Sequence, residues 1–343
     1  MKSICIGAGL IALDVILNGS PQTNAKVSTG GSCGNVLSIL SYLGWTSMPI
    51  ARLAENEASS ELVTDLKRWN IDLKFLKISS DGSTAIIIHR ILKNKKGDPI
   101  HKFEFRNPEK DEWLPNFRPI TINLANEIIS TGIKPDVFYF DRMNPGTIEL
   151  AQYFRKSGAL VFFEPSSIKD EVLLEKCLRL AHVFKFSSER IPDFKQRFPK
   201  INVDLEIQTN GSEGLFYRTI KSTNKNKWKK LKSFPAKKII DAAGAGDWCS
   251  AGIIANLANG GSKSFNSRGV RAIELALNYG QILGSLNCTL DGARGLMYQY
   301  SSSSLKQKVN KYLASKGQVT ISLNTNTKPL IDISKAITIS SLY

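Results

Sequence analysis

Short runs rich in β-branched and aromatic residues alternate with longer runs of helical spacing over most of this chain, and that alternation restricts the fold more than any other feature. The runs "SICIGA", "TSMPIARL", "PDVFYF", "ALVFFEP", "HVFKFS", "LEIQTN" and "LFYRTI" read as strands. Between them, "GNVLSILSYLG", "SSELVTDLKRWN", "GTIELAQYFRKSG", "EVLLEKCLRL", "AGIIANLANG" and "RAIELALNYGQILGSL" read as helices. This order predicts an α/β protein whose mainly parallel sheet is covered on both faces, doubly wound rather than closed into a barrel. With 343 residues, 42% of them apolar, the chain can bury one large domain or two smaller ones.

One section breaks the alternation. Residues 84–105, "TAIIIHRILKNKKGDPIHKFEF", read as two strands around a polar turn from Lys93 to Asp98. A hairpin inserted in an α/β chain often projects as a flap over a site. After about Lys316 the tail "GQVTISLNTNTKPLIDISKAITISSLY" is rich in β-branched residues and is expected to add strands or dock on the body.

Composition removes several classes of function. No run of about 18 apolar residues exists, so a membrane span is not expected. The N-terminus imitates a signal peptide, but Asp14 interrupts it and no small-residue cleavage site follows. The five cysteines are scattered and never spaced as CxxC, which fits a reducing cytoplasm, and the three histidines form no metal pattern. The net charge is +16, and between Gly214 and Ile240 there are eight lysines and no acid. That patch carries no recognisable nucleic-acid-binding motif, so a solvated loop and edge hairpin is the reading adopted. Its field would still attract a polyanion.

The stretch "DAAGAGDWCSAGI", residues 241–253, puts two glycines and an aspartate in a short turn before an apolar helical run. Lys238-Ile239-Ile240 reads as the end of a buried strand, and Ala251, Ile254, Ala255 and Ala258 recur at helical spacing. Strand, glycine turn and helix in that order aim unpaired N–H groups and the positive end of the helix dipole at one point, where an anion can sit. The plainer alternative is a tight turn at Gly244 and Gly246 with Asp247 stabilising the helix start. Other nucleotide motifs fail. Gly7, Gly9 and Ala12 match GxGxxA, but Asn18-Gly19 and Pro21 break the helix that should follow, and Walker A and GxSxG patterns are absent.

Together, "STGGSCGNVLSILSYLGW" and "IIDAAGAGDWCSAGI" resemble the two signature regions of the ribokinase-like sugar kinases, the PfkB family. The resemblance extends from about Lys2 to about Gly295, through "NIDLKFL", "QTNGSEG" and "ALNYGQILGS". It implies a ribokinase-like three-layer α/β/α domain over 1–316 with a small β lid, its strands within 12–30 and 84–106, and a C-terminal extension, 317–343, of unassigned role. It implies transfer of the γ-phosphoryl group of ATP to a hydroxyl of a sugar or related small molecule, with Mg²⁺ bridging the phosphates. Asp247 matches the family's catalytic base, and Gly244, Ala245 and Gly246 match its anion hole. Asp14, Gly30, Gly31 and Asn35 match positions that hold the acceptor; Thr209, Gly211 and Asn278 match positions on the nucleotide side. Asp241 and "LDGARG" correspond to the region where many members bind a monovalent cation such as K⁺. By spacing alone, Asp14 reads as a turn residue and Asn35 as a helix cap. A nucleoside kinase of the same fold and a catalytically weak, ligand-sensing pseudokinase are the alternatives. The partners expected are a small-molecule acceptor and a second copy through the lid, with no nucleic acid and no membrane.

Several positions depart from the family pattern. Its "NxxE" appears as "SSER", Ser187 to Arg190, with Glu189 one place early, so an indirectly held Mg²⁺ is expected to be held differently. "AENE" and "FEPSS" stand where "GDD"-like and "DxNxR" segments occur in relatives, and the short segment between Asp14 and Gly30 predicts a reduced lid. Arg90, Lys102, Arg106 and Arg142 would favour an acidic or phosphorylated acceptor, unless they are solvated lid residues.

Overall fold

Cys5, Ile6, Gly7 and Ala8 carry no charged side chain between them, so β1 (Ile4–Ala8) can be covered on both faces and runs through the interior of the main sheet. The computed structural model describes residues 2–18, 25–93, 99–222, 227–234, 239–315, 331 and 334–343. After β1 the chain forms β2 (Ala12–Asn18) and β3 (Ala25–Gly30), then α1 (Ser32–Tyr42), β4 (Thr46–Leu53), α2 (Glu57–Arg68) and β5 (Leu76–Ile78). Next come β6 (Ala85–Lys93) and β7 (Pro99–Glu104), followed by α3 (Ile122–Ser130), β8 (Val137–Phe140), α4 (Pro145–Lys156), β9 (Leu160–Phe163), α5 (Glu171–Leu180), β10 (Val183–Ser187), α6 (Phe194–Arg197) and β11 (Leu205–Thr209). An edge hairpin, β12 (Leu215–Thr219) and β13 (Lys229–Leu231), precedes α7 (Ala245–Leu257), α8 (Gly261–Ser267), α9 (Val270–Asn287), α10 (Gly295–Gln299), α11 (Ser302–Ala314) and a short β14 (Ser334–Lys335).

The strands form two sheets. The main one has nine strands in the order β13-β12-β11-β10-β9-β8-β1-β4-β5, parallel except for the terminal hairpin. Successive side chains on a strand point to opposite faces, so Val137 and Tyr139 pack in one apolar core with residues of α1, α7 and α9, while Phe138 and Phe140 pack in another with α3, α4 and α5. The result is the three-layer α/β/α build expected. The tight α7–α9 contact requires glycine: a Cβ at Gly280 would lie 2.4 Å from the carbonyl oxygen of Cys249.

The second sheet, β14-β3-β2-β6-β7, contains the segments expected to form the lid. It holds five strands, one of which, β14, is supplied by the tail. Strand β2, where a dinucleotide fold would have a helix, instead pairs parallel with β6 and antiparallel with β3. The tail docks. Ser334 and Lys335 pair with Lys26 and Ala25, the N–H of Ala58 donates to Leu342 O at 2.9 Å, and Ile339 and Leu342 are buried.

Ile239 and Ile240 are not in a strand. Ile239 is 55% exposed, and the N–H groups of Ile240 and Asp241 donate to Cys288 O, so the segment is pinned to the end of α9 rather than to a neighbouring strand. The rest of that approach, 235–238, lies outside the described residues, as do the tip of the lid hairpin at 94–98, residues 19–24 with Gly19 and Pro21, part of the lysine-rich loop at 223–226 and most of the tail at 316–330. All five cysteines are free, and no described helix is long and apolar enough to cross a membrane.

Candidate active site

Strands β1, β8, β9, β10 and β11 end on one side of the main sheet, and polar groups gather there, as expected at the carboxyl ends of parallel strands. Helix α7 starts at the same place. Its N-cap, Gly244, takes the left-handed conformation at φ 72°, and a Cβ there would lie 2.2 Å from Ala293 O, so only glycine fits. The first bond of the helix runs from Trp248 N to Gly244 O at 2.9 Å. The N–H groups of Ala245, Gly246 and Asp247 therefore have no helical acceptor, and that of Ala245 turns back to Ala242 O at 3.3 Å. Gly246 and Asp247 supply the backbone donors that remain, at the positive end of a helix dipole.

Asn35 Nδ2 donates to Asp247 Oδ2 at 2.8 Å. Burial raises the Asp247 pKa to about 7, and the charge of Glu164 adds to it; the Asn35 bond and the charges of Arg190 and Lys185 pull the other way. Asn35 is not a helix cap: the N-cap of α1 is Gly31, and Asn35 lies within the first turn of the helix, 4% exposed, with no hydrogen-bond partner for its Oδ1. Nor is Asp14 a turn residue. It lies in β2 opposite Ser28, close enough to Gly30 that a Cβ there would fall 1.9 Å from the Asp14 carboxyl carbon. Burial raises its pKa to about 7, opposed by the charge of Arg294.

Behind the turn lies a network that sequence reasoning missed. Glu164, just past β9, accepts from Lys185 Nζ, Ser250 Oγ and Tyr139 OH. Lys185 is 1% exposed and also donates to Gly246 O at 3.3 Å. Burial disfavours its charge, but Glu164 beside it outweighs that and leaves its pKa raised. The signal was present: "HVFKFS" places a lysine inside an otherwise apolar strand, a position that demands a partner. Asp141, after β8, accepts from Leu10 N and Arg142 Nη1, each at 2.9 Å. Exposed Arg190 is near enough to favour the ionised forms of both Asp141 and Asp247.

On the other side of the crevice, Thr209 ends β11 and its carbonyl accepts from Ser188 N at 3.0 Å. A Cβ at Gly211 would lie 3.2 Å from Glu189 Oε1, so the "SSER" and "QTNG" turns pack on each other. Asn278 lies on α9, where its Oδ1 accepts from Gln281 at 3.5 Å.

The four basic residues considered for the acceptor all have acidic partners. Arg90 and Lys102 bind Glu104 at 2.6 and 2.9 Å, Arg106 binds Asp111 at 2.8 Å, and Arg142 binds Asp141 at 2.9 Å. A different arginine was overlooked. Arg294, 2% exposed, donates from Nη2 to Asp65 Oδ2 at 2.6 Å, while its Nη1 has no partner. It lines a cavity of about 160 Å³ with Ile16, Lys26 and Ser28 of the lid and with Tyr298. The Tyr298 hydroxyl is near that of Ser28 but makes no hydrogen bond of normal geometry.

Asp241 closes the junction between the turn at Gly244 and the loop after α9. Its Oδ1 accepts from Ala243 N at 2.7 Å and its Oδ2 from Gly292 N at 2.9 Å. Asn287 Nδ2 donates to Ala243 O and to Gly292 O, both at 3.1 Å.

A family model described as pfkB family carbohydrate kinase matches residues 2–296. The chain belongs to this family. Among curated proteins it is similar to probable fructokinase-6, chloroplastic, of Arabidopsis thaliana, with 24% identity over 323 residues that cover 84% of this chain and 78% of that protein. Among solved structures, an ATP-bound fructokinase from Xylella fastidiosa superposes with a TM-score of 0.67 at 15% identity, covering 92% of this chain and 99% of the other. A nucleoside kinase from Burkholderia thailandensis, in complex with inosine, superposes with a TM-score of 0.65 at 14% identity, covering 91% and 98%. This member of the pfkB family thus has the ribokinase-like fold.

Proposed function

We propose that this protein transfers the γ-phosphoryl group of ATP to a hydroxyl of a sugar or related small molecule, with Asp247 as general base. The observation that carries the reading is the Asn35–Asp247 pair at the start of α7: a carboxyl oriented by one amide hydrogen bond, a buried and unpartnered Asn35 Oδ1 beside it, and free backbone donors in the same turn. Asp247 takes the proton of the acceptor hydroxyl; that oxygen bonds to the γ-phosphorus as the bond to the β–γ bridging oxygen breaks, and ADP leaves. The Gly246 and Asp247 N–H groups stabilise charge on the transferred group. Asp14, Gly30 and Gly31 hold the acceptor over the turn, and Thr209 and Gly211 border the nucleotide. Asn278 belongs to the adenine side.

Mg²⁺ fits as an ion carried by the nucleotide. Among the described residues no three His, Cys, Asp or Glu side chains form a cage, and Glu189 beside Gly211 is the acidic group at hand. There Mg²⁺ would neutralise phosphate charge. The exposed Phe103 of β7, with the exposed Phe105 and Trp113 in the segment that follows it, supports a second copy docking on the β7 side, since β14 already covers the β3 edge.

A second reading concerns the acceptor. The unpartnered Arg294 Nη1 and Tyr298 hydroxyl, both beside the lid face that carries Asp14, favour a sugar acid or sugar phosphate over a neutral sugar. ADP release from ATP and Mg²⁺ across neutral sugars, sugar acids, sugar phosphates and nucleosides, with Asp247→Asn in parallel, tests both readings. Acceptor-dependent ADP that disappears in the variant is the expected result. ATP binding without turnover on any acceptor would point instead to a ligand-sensing protein.

A further inference from the structure

The family resemblance leads one to expect K⁺ at the junction of Asp241 with the "LDGARG" loop, and the residues there do not fit it. A monovalent cation is held by oxygen lone pairs converging on one point. Of the oxygens here, the Asp241 carboxylate, Ala243 O and Gly292 O each already accept an N–H. Asp241 binds the backbone of Ala243 and Gly292 at 2.7 and 2.9 Å. The point 3.1 Å from both carbonyl oxygens is filled by Asn287 Nδ2.

A carboxamide NH₂ has two hydrogens, and here it faces two acceptors. Its orientation is fixed by its other end, because Asn287 Oδ1 accepts from Leu296 N at 3.2 Å. Turning the amide over would break that bond and set an oxygen against two carbonyl oxygens. Asn287 is fully buried at the last residue of α9, so bulk water does not reach it and each unmade bond there is costly. We propose that Asn287 takes the place of the monovalent cation, so that this protein folds and works without one. Asn287 acts as a positioning residue: Ala243 O, which it holds, immediately precedes Gly244, and through that turn it sets the Gly246 and Asp247 donors.

The catalytic consequence rests on the kinase reading, whereas the absence of a bound cation does not, and thermal unfolding of the full chain reads it directly. The midpoint is measured in KCl and in choline chloride of equal ionic strength, alongside ADP release in both salts. The wild-type midpoint should differ by less than about 1 °C, because a cation bound specifically by the folded state would raise it in KCl. Asn287→Asp is nearly isosteric but sets an oxygen against Ala243 O and Gly292 O. Its midpoint should fall in choline and recover in K⁺, a salt response that a merely structural side chain would not acquire. If this variant does not fold in either salt, Asn287→Ser, which leaves room at the same point, should show the K⁺-dependent recovery. A wild-type midpoint that climbs by several degrees in K⁺, or variants as stable in choline as in K⁺, would overturn the proposal. Absence of ADP in both salts would count against the kinase reading alone.

Discussion

Asn35 and Asp247 are 212 positions apart in sequence, and a 2.8 Å hydrogen bond joins them. That bond ties the helix of the first signature, α1, to the helix of the second, α7, at the point where both begin. It orients a carboxyl group whose pKa burial raises, and it favours that group's ionised form.

Replacing that carboxyl should remove chemistry and leave nucleotide binding. Asp247→Asn is expected to lower kcat by about 10²- to 10⁴-fold, the range typical of a lost general base. The affinity for ATP, measured by calorimetry, should stay within a few-fold. A variant with most of its kcat would show that another group takes the proton.

The rate should depend on pH with a rising limb. Asp247 must be ionised to accept a proton, and its pKa is about 7, so acceptor-dependent ADP release should increase through neutral pH and level off above it. Asn35→Ala removes a bond that favours the carboxylate, so its midpoint should move to higher pH. A profile already flat in mildly acidic solution would contradict this assignment.

The same carboxyl costs stability. Its folded-state pKa, about 7, is above the ordinary 3.8, so the folded protein binds the proton more tightly than the unfolded chain does. Its contribution is fully present below about pH 4, falls as the pH rises towards 7 and stays low beyond that. Asp247→Asn should therefore raise the unfolding midpoint at pH 8 by more than at pH 4. Equal shifts at both values would argue that the carboxyl is not buried in solution.

Asp65 and Arg294 form a buried pair, at 2.6 Å, with side chains 3% and 1% exposed. Burial opposes the charge of Asp65, but the Arg294 charge and hydrogen bond outweigh it and hold the pKa below the usual carboxylate range. Asp65→Leu should cost about 3–5 kcal/mol in denaturant unfolding, because it leaves a buried guanidinium without its partner. Asp65→Leu combined with Arg294→Met should recover much of that loss.

Leu342 is fully buried, and Ile339, three positions earlier, is buried as well. Leu342→Ala should cost about 2 kcal/mol or more and speed proteolysis of the tail. Amide exchange in β3, whose outer edge β14 covers, should rise with it. Unchanged proteolysis would mean that the tail is held by its polar contacts, among them Asn107 Nδ2 to Ser340 Oγ and Tyr343 OH, both at 2.9 Å.

The strands and helices were legible because each buried run is almost purely apolar. The same rule misled at Ile239 and Ile240, where two isoleucines before a glycine turn look like a strand end while the backbone bonds to Cys288 O instead. Arg90 looked available for an acceptor because Glu104 becomes its neighbour only once β6 and β7 pair, and Arg106 because Asp111 reaches it only where the chain beyond β7 turns back; Lys102 and Glu104, two places apart on one face of β7, were in reach from the sequence alone.

What the sequence determined by itself was local: the period of each element, the left-handed position at Gly244 that only glycine fills, and a carboxylate in the first turn of α7. Those depend on backbone sterics and on which face of an element is apolar, and neighbouring residues carry that information. Tertiary structure alone decided the partners. Asn35 meets Asp247, Lys185 meets Glu164 and Asn287 bridges Ala243 and Gly292 because sheet order and helix packing bring distant residues together. Once there, burial removes competing water, so each polar group must be satisfied by whatever the fold has placed within reach.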